Sequence, residues 1–160
     1  MVKSYLTKNP SGTKKLGEKL AKRILKEKLK KRALVIGLAG ELGGGKTTFL
    51  QGFAKGLGIK EKILSPTFVI LKRFKIKNAT LRGVRQLASR RFKNFYHIDC
   101  YRLNTPKEIL ELGFKEVVAS PQNIIAIEWA EKIKKILPKG TLFIKFGFMD
   151  KNKRKILVAY

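Results

Sequence analysis

Gly40-Glu41-Leu42-Gly43-Gly44-Gly45-Lys46-Thr47, with Thr48 following, matches the phosphate-binding pattern G-x-x-x-x-G-K-[ST] at every fixed position. In such a loop successive backbone N–H groups turn inward around phosphate oxygens, and glycine tolerates so tight an approach. The flanking sequence has the order this task needs. Ala33-Leu34-Val35-Ile36-Gly37-Leu38-Ala39 is an apolar run that reads as a buried strand. Residues 47–57 read as a helix, with Phe49, Leu50, Phe53 and Leu57 on or near one face. A strand, a glycine loop and a helix in that order set a positive helix end against a bound anion. The stretch predicts a nucleoside triphosphate site.

The chain has 160 residues, enough for one domain with a core of its own. Its hydrophobic content is 44%, and strands alternating with helical stretches suggest an α/β fold. Charge is lopsided: 37 Lys and Arg against 11 Asp and Glu, a formal +26. That balance fits a polyanionic partner, nucleic acid first, or a solvated lysine-rich surface, because the lysines are spread along the chain. One cysteine, Cys100, excludes an internal disulfide and argues against a cysteine-based metal site. With no signal-peptide core and no membrane-length apolar run, a cytoplasmic protein is expected.

Taken in order, residues 3–7 allow a short edge strand. Asn9-Pro10-Ser11-Gly12 is a turn, with Ser11 as the expected N-cap of a helix carrying Leu16, Leu20, Ala21, Ile24 and Leu25 on one face. Gly56-Leu57-Gly58 ends the helix after the glycine loop. Residues 63–71 then read as a hydroxyl-rich turn, Ser65-Pro66-Thr67, running into a strand. Residues 72–93 hold nine basic side chains and no acid. They read as an insertion-like segment, either a basic arm for RNA or an exposed loop. Phe95-Tyr96-His97-Ile98-Asp99 is the next strand. Thr105 caps a helical turn that has Pro106 at its first position and Gly113 at its end. Ile124-Ile125-Ala126-Ile127 is a buried parallel strand ending at Glu128-Trp129. Residues 129–137 suit a short helix, and 141–148 with 155–160 suit a β-hairpin.

Phosphoryl transfer needs positive charge on the phosphates, Mg²⁺ on the β and γ oxygens, and a group that orients the attacker. Lys46 offers the charge, Thr47 a hydroxyl for Mg²⁺, and the amides of residues 41–48 the cradle, with the Glu41 side chain facing solvent. Asp99 and Glu128 stand at the carboxyl ends of apolar strands, where open α/β sheets place their ligands. Glu128 resembles a Walker B acid, and Asp99 is placed to hold a metal-bound water or to orient the attacking one. His97 alternates with Asp99, so both point to one side of the strand; a lone histidine is more often structural. Trp129 either packs beside the nucleotide or joins the core. Thr67 lies where a switch could sense the γ-phosphate.

Together these blocks resemble the TsaE (YjeE) family. The resemblance rests on the loop from Gly40 to Phe49, on Ser65-Pro66-Thr67-Phe68, on His97-Ile98-Asp99-Cys100-Tyr101-Arg102-Leu103, on Glu111-Leu112-Gly113-Phe114 and on Glu128-Trp129. It covers essentially the whole chain. It implies one P-loop NTPase-like α/β domain over residues 1–160, with a mostly parallel sheet flanked by helices and an antiparallel C-terminal hairpin. It also implies a Mg²⁺-dependent ATPase that supports or resets a TsaB–TsaD complex in bacterial synthesis of N6-threonylcarbamoyladenosine in tRNA. On the matching positions, Glu41, Leu42, Gly43, Gly44, Gly45, Lys46, Thr47, Thr48, Thr67 and Trp129 would contact ATP. Thr47 and Glu128 would face Mg²⁺, and Lys46, Asp99 and Glu128 would serve catalysis. The segment 72–93 looks longer, and the chain more cationic, than the family pattern suggests. Two other readings use the same loop: a small-molecule kinase and an RNA-binding module that retains ATP affinity.

Overall fold

The computed structural model describes residues 2–64, 70–76 and 92–159. The segment with Ser65, Pro66, Thr67 and Phe68 lies outside them. So do residues 77–91, the greater part of the basic segment.

The described residues form a seven-stranded sheet in the order β1-β7-β6-β2-β5-β4-β3. The strands are β1 (Val2–Thr7), β2 (Leu34–Ala39), β3 (Leu71–Lys75), β4 (Asn94–Asp99), β5 (Asn123–Glu128), β6 (Leu142–Phe148) and β7 (Arg154–Ala159). β6, β2, β5 and β4 run parallel in the middle. The outer pairings, β1 with β7, β7 with β6 and β3 with β4, are antiparallel. The sheet is therefore mixed rather than mostly parallel. The C-terminal hairpin is antiparallel as expected, because its short turn cannot make a parallel crossover.

Helices cover both faces. On one side lie α1 (Pro10–Ile24) and α2 (Lys46–Gly56), and on the other α3 (Pro106–Glu111), α4 (Phe114–Ala119) and a 3-10 helix, Ala130–Ile136. β5 is buried at all six positions, which explains its unbroken apolar run. Its alternate residues feed the two cores. Ile124 and Ala126 pack towards α1 and α2, Ile125 and Ile127 towards the other layer. α1 and α2 cross closely because glycines line the contact. A Cβ at Gly17 would collide with the Phe49 carbonyl, and one at Gly52 with the Lys14 carbonyl.

Several local expectations change. Asn9, not Ser11, caps α1: its Oδ1 accepts from the Gly12 amide at 2.8 Å, and Pro10 takes the first helical position, where its missing N–H costs nothing. Most of the strand expected within 63–71 lies outside the described residues; β3 spans Leu71–Lys75, so the basic segment starts inside the sheet. Lys72, Arg73 and Lys75 belong to edge strand β3, with Phe74 as its buried anchor. Lysine on an edge strand deters further pairing, so this end of the segment has a structural reason for its charge. The helical turn beyond Trp129 is of the tighter 3-10 form.

Candidate functional site

β2 ends at Ala39 between β5 and β6, and the chain leaves the sheet into the glycine loop. Gly43 and Gly45 have φ of +71° and +96°, a region side-chain-bearing residues rarely enter, so the loop can turn tightly. α2 starts at Lys46, with its first amides at the mouth of the loop. Glu41 and Leu42 are exposed, as expected for Glu41, while Gly44 is buried against the loop.

Lys46 is only 5% exposed, and its Nζ donates to the carbonyls of Gly40 at 2.6 Å and Glu41 at 2.9 Å. Burial pushes its pKa down, against the opposing pull of Glu128, Glu131 and Asp99. The Trp129 ring lies 3.9 Å from Nζ, a cation–π contact. Trp129 reaches that place from a left-handed backbone, φ +58°, the one non-glycine among the described residues with positive φ. Such a conformation costs about 1–3 kcal/mol for a bulky residue and persists only where its surroundings enforce it. The Tyr101 ring packs on the far flank, 5.1 Å between centroids, and Lys132 Nζ ties the 3-10 helix to the carbonyls of Tyr101 and Leu103. Trp129 is thus half-buried, beside the loop and packed against the edge of the core layer formed with α3 and α4.

Glu128 ends β5 at 2% exposure, paired in register with Leu38 on β2 and Asp99 on β4. The Thr47 hydroxyl donates to its carboxylate, 3.0 Å from Oε1 and 2.9 Å from Oε2. His97 Nε2 stands 2.9 Å from Oε1. His97, 1% exposed, therefore belongs to the site as the group that fixes the Glu128 carboxylate. Asp99, on the same side of β4, is 8% exposed, and its Oδ1 accepts from the Tyr101 amide at 2.9 Å. Lys46, Thr47, Asp99, Glu128 and Trp129 thus come together, residues from the ends of two adjacent strands, β4 and β5, and the start of α2. Thr47 and Glu128 offer hard oxygen donors side by side. Among the described residues no group of three or more His, Cys, Asp or Glu could hold a metal unaided, so an ion here would need further oxygens from a ligand or water.

One close neighbour of the loop has no counterpart among the sequence candidates. Arg154 on β7 donates to the Gly43 carbonyl from Nη2 at 3.0 Å. An arginine among lysines in a hairpin turn carries no signal for such a contact.

The model of the family described as Threonylcarbamoyl adenosine biosynthesis protein TsaE matches residues 7–156. The chain belongs to the TsaE family. Among its relatives is the tRNA threonylcarbamoyladenosine biosynthesis protein TsaE of Rickettsia felis, 38% identical over 147 residues, covering 91% of this chain and 73% of that protein. The protein of the same name from Bacillus subtilis is 35% identical over 152 residues, covering 95% and 82%. A crystal structure of Bacillus subtilis YdiB superposes with a TM-score of 0.71 at 30% identity, covering 99% of this chain and 84% of that one. No described helix is long and apolar enough to cross a membrane.

Proposed function

We propose that this chain is a P-loop ATPase that hydrolyses ATP with Mg²⁺ and so supports or resets a TsaB–TsaD complex during synthesis of N6-threonylcarbamoyladenosine in tRNA. The observation that carries the reading is the convergence of Lys46, Thr47 and Glu128 at the start of α2, within hydrogen-bond reach of the glycine loop or of each other. Family membership supplies the tRNA-modification setting.

In this reading Lys46 exchanges the Gly40 and Glu41 carbonyls for phosphate oxygens, and the loop amides with the α2 N-terminus receive the rest of the triphosphate charge. Thr47 and Glu128 would hold Mg²⁺, which when bound neutralises charge on the β and γ oxygens. His97 keeps the Glu128 carboxylate oriented, the role of an outer partner that tunes a ligand. Asp99, next in register to Glu128, would orient the attacking water. Trp129 closes over Lys46 and excludes solvent from the ammonium. Thr67 and the basic residues of 77–91 lie outside the described residues. A γ-phosphate switch at Thr67, and a basic segment that is either a tRNA-binding arm or an exposed loop, are readings of the sequence alone.

The test is ATP hydrolysis by the purified chain, alone and with a TsaB–TsaD complex and tRNA. Mg²⁺-dependent hydrolysis stimulated by the complex is expected. Turnover indifferent to the complex, or phosphate passed to a small acceptor, would instead indicate a kinase that shares only the fold.

A further inference from the structure

The C-terminal hairpin meets the glycine loop at Phe146, which lies against Gly40 and Gly44, and through the side chain of Arg154. Arg154, the first residue of β7, directs Nε and Nη2 at the Gly43 carbonyl oxygen, at 3.3 and 3.0 Å. Its Nη1 donates to carbonyls of the hairpin's own turn, Asp150 at 2.8 Å and Lys153 at 2.9 Å. The Phe148 ring lies beneath the guanidinium, 4.5 Å from its carbon to the ring centroid. A guanidinium is planar with five donors in fixed directions, so bonding at both ends sets the turn and the loop relative to each other. The turn has bonds of its own: Asp150 Oδ1 accepts from the amides of Asn152 and Lys153 at 2.9 and 2.8 Å.

Gly43 stands at the crest of the loop, exposed, with nothing within 4 Å of where a Cβ would lie. No packing fixes Gly43 on that side, whereas Gly44 next to it is buried beside Phe146. The Gly43 carbonyl is held by Arg154, and in a planar trans peptide the C=O of Gly43 and the N–H of Gly44 point in opposite directions. Drawing the carbonyl out towards β7 therefore turns the Gly44 amide into the loop. There it meets the Glu41 carbonyl at 3.1 Å.

We propose that Arg154 is a positioning residue for the triphosphate site, setting the Gly43–Gly44 peptide so that the loop is shaped for phosphate before the ligand arrives. The inference rests on the triphosphate reading above. An unanchored crest has to be ordered on binding, and that ordering reduces affinity for anything that fills the loop.

The experiment measures equilibrium binding of ATP and of inorganic tripolyphosphate to the wild type, Arg154→Ala, Arg154→Lys and Lys153→Ala, with the melting temperature of each. Arg154→Ala should weaken both ligands by the same factor, about tenfold, since charge-assisted bonds to the loop are lost. Arg154→Lys keeps the charge without the fork and should weaken both alike by several-fold; it carries the comparison if Arg154→Ala does not fold. Lys153→Ala removes the exposed ion pair to Asp150 on the same hairpin and should leave both affinities within about twofold. Unchanged ATP affinity in folded Arg154 variants overturns the proposal. So does a loss confined to ATP with tripolyphosphate unaffected, which would make Arg154 a contact to base or ribose. Failure of the wild type to bind either ligand would overturn the triphosphate reading itself, and this inference with it.

Discussion

The glycine loop has two unlike flanks. On the β5 side, Glu128 and His97 are almost wholly buried and bonded to each other, and Thr47 reaches the same carboxylate from α2. On the hairpin side Arg154 holds a backbone carbonyl, with Phe148 and Met149 exposed beside it. Charged chemistry is thus placed where sheet register fixes geometry and neighbouring strands exclude water, which strengthens electrostatic interactions. Control of loop shape is placed on an exposed turn, whose bonds compete with solvent. Changes on the first flank should act on turnover, and changes on the second on affinity.

The largest effect is expected at Lys46, which bonds the loop itself. Lys46→Ala should lower ATP affinity by about 100-fold or more, because a buried ammonium and its charge-assisted bonds are lost. Retained affinity would remove the loop from the nucleotide site. Next, Glu128→Ala should cut Mg²⁺-dependent hydrolysis by roughly 100-fold or more while ATP affinity changes only several-fold. Normal hydrolysis in that variant would pass the metal-side role to Asp99. His97→Ala should raise the Mg²⁺ concentration needed for half-maximal hydrolysis by roughly tenfold, as expected when an outer partner of a metal-side ligand is removed. An unchanged Mg²⁺ dependence would make His97 a core residue only. A loss of affinity in the Glu128 and His97 variants as deep as in Arg154→Ala would erase the contrast between the flanks.

The smallest effect concerns Cys100, just beyond Asp99. Burial pushes its thiol up to about 12, so the native protein holds it neutral while the unfolded chain ionises near 9. Stability from this thiol is complete below about 9 and is lost as pH rises from there towards 12. Alkylation of the native protein at pH 8 should be far slower than after denaturation. Equal rates would show that the end of β4 opens readily.

Legibility follows the same division. The loop, β2 and β5 could be read from sequence because buried parallel strands are continuous apolar runs, and an acid ending such a run stands out. Glu128 is legible that way, and Lys46 and Thr47 from the fixed positions of the glycine-loop pattern. β3 was harder, since an edge strand with one buried residue, Phe74, looks like a charged loop once lysines protect it. The antiparallel edges were underestimated for the same reason: edge strands give short, mixed patterns. Serine suits the cap role and makes Ser11 the expected cap, but Pro10 in the first helical position hands it to Asn9. Arg154 could not be found at all. It acts on a carbonyl 111 residues away, and a carbonyl has no signature in sequence.

The most direct measurement is calorimetric binding of Mg²⁺·ATP to the wild-type chain and to Lys46→Ala. Saturable binding by the wild type, lost or weakened by about 100-fold in the variant, is the expected result. No binding by the wild type, or equal binding by both, would contradict a triphosphate site built on this loop.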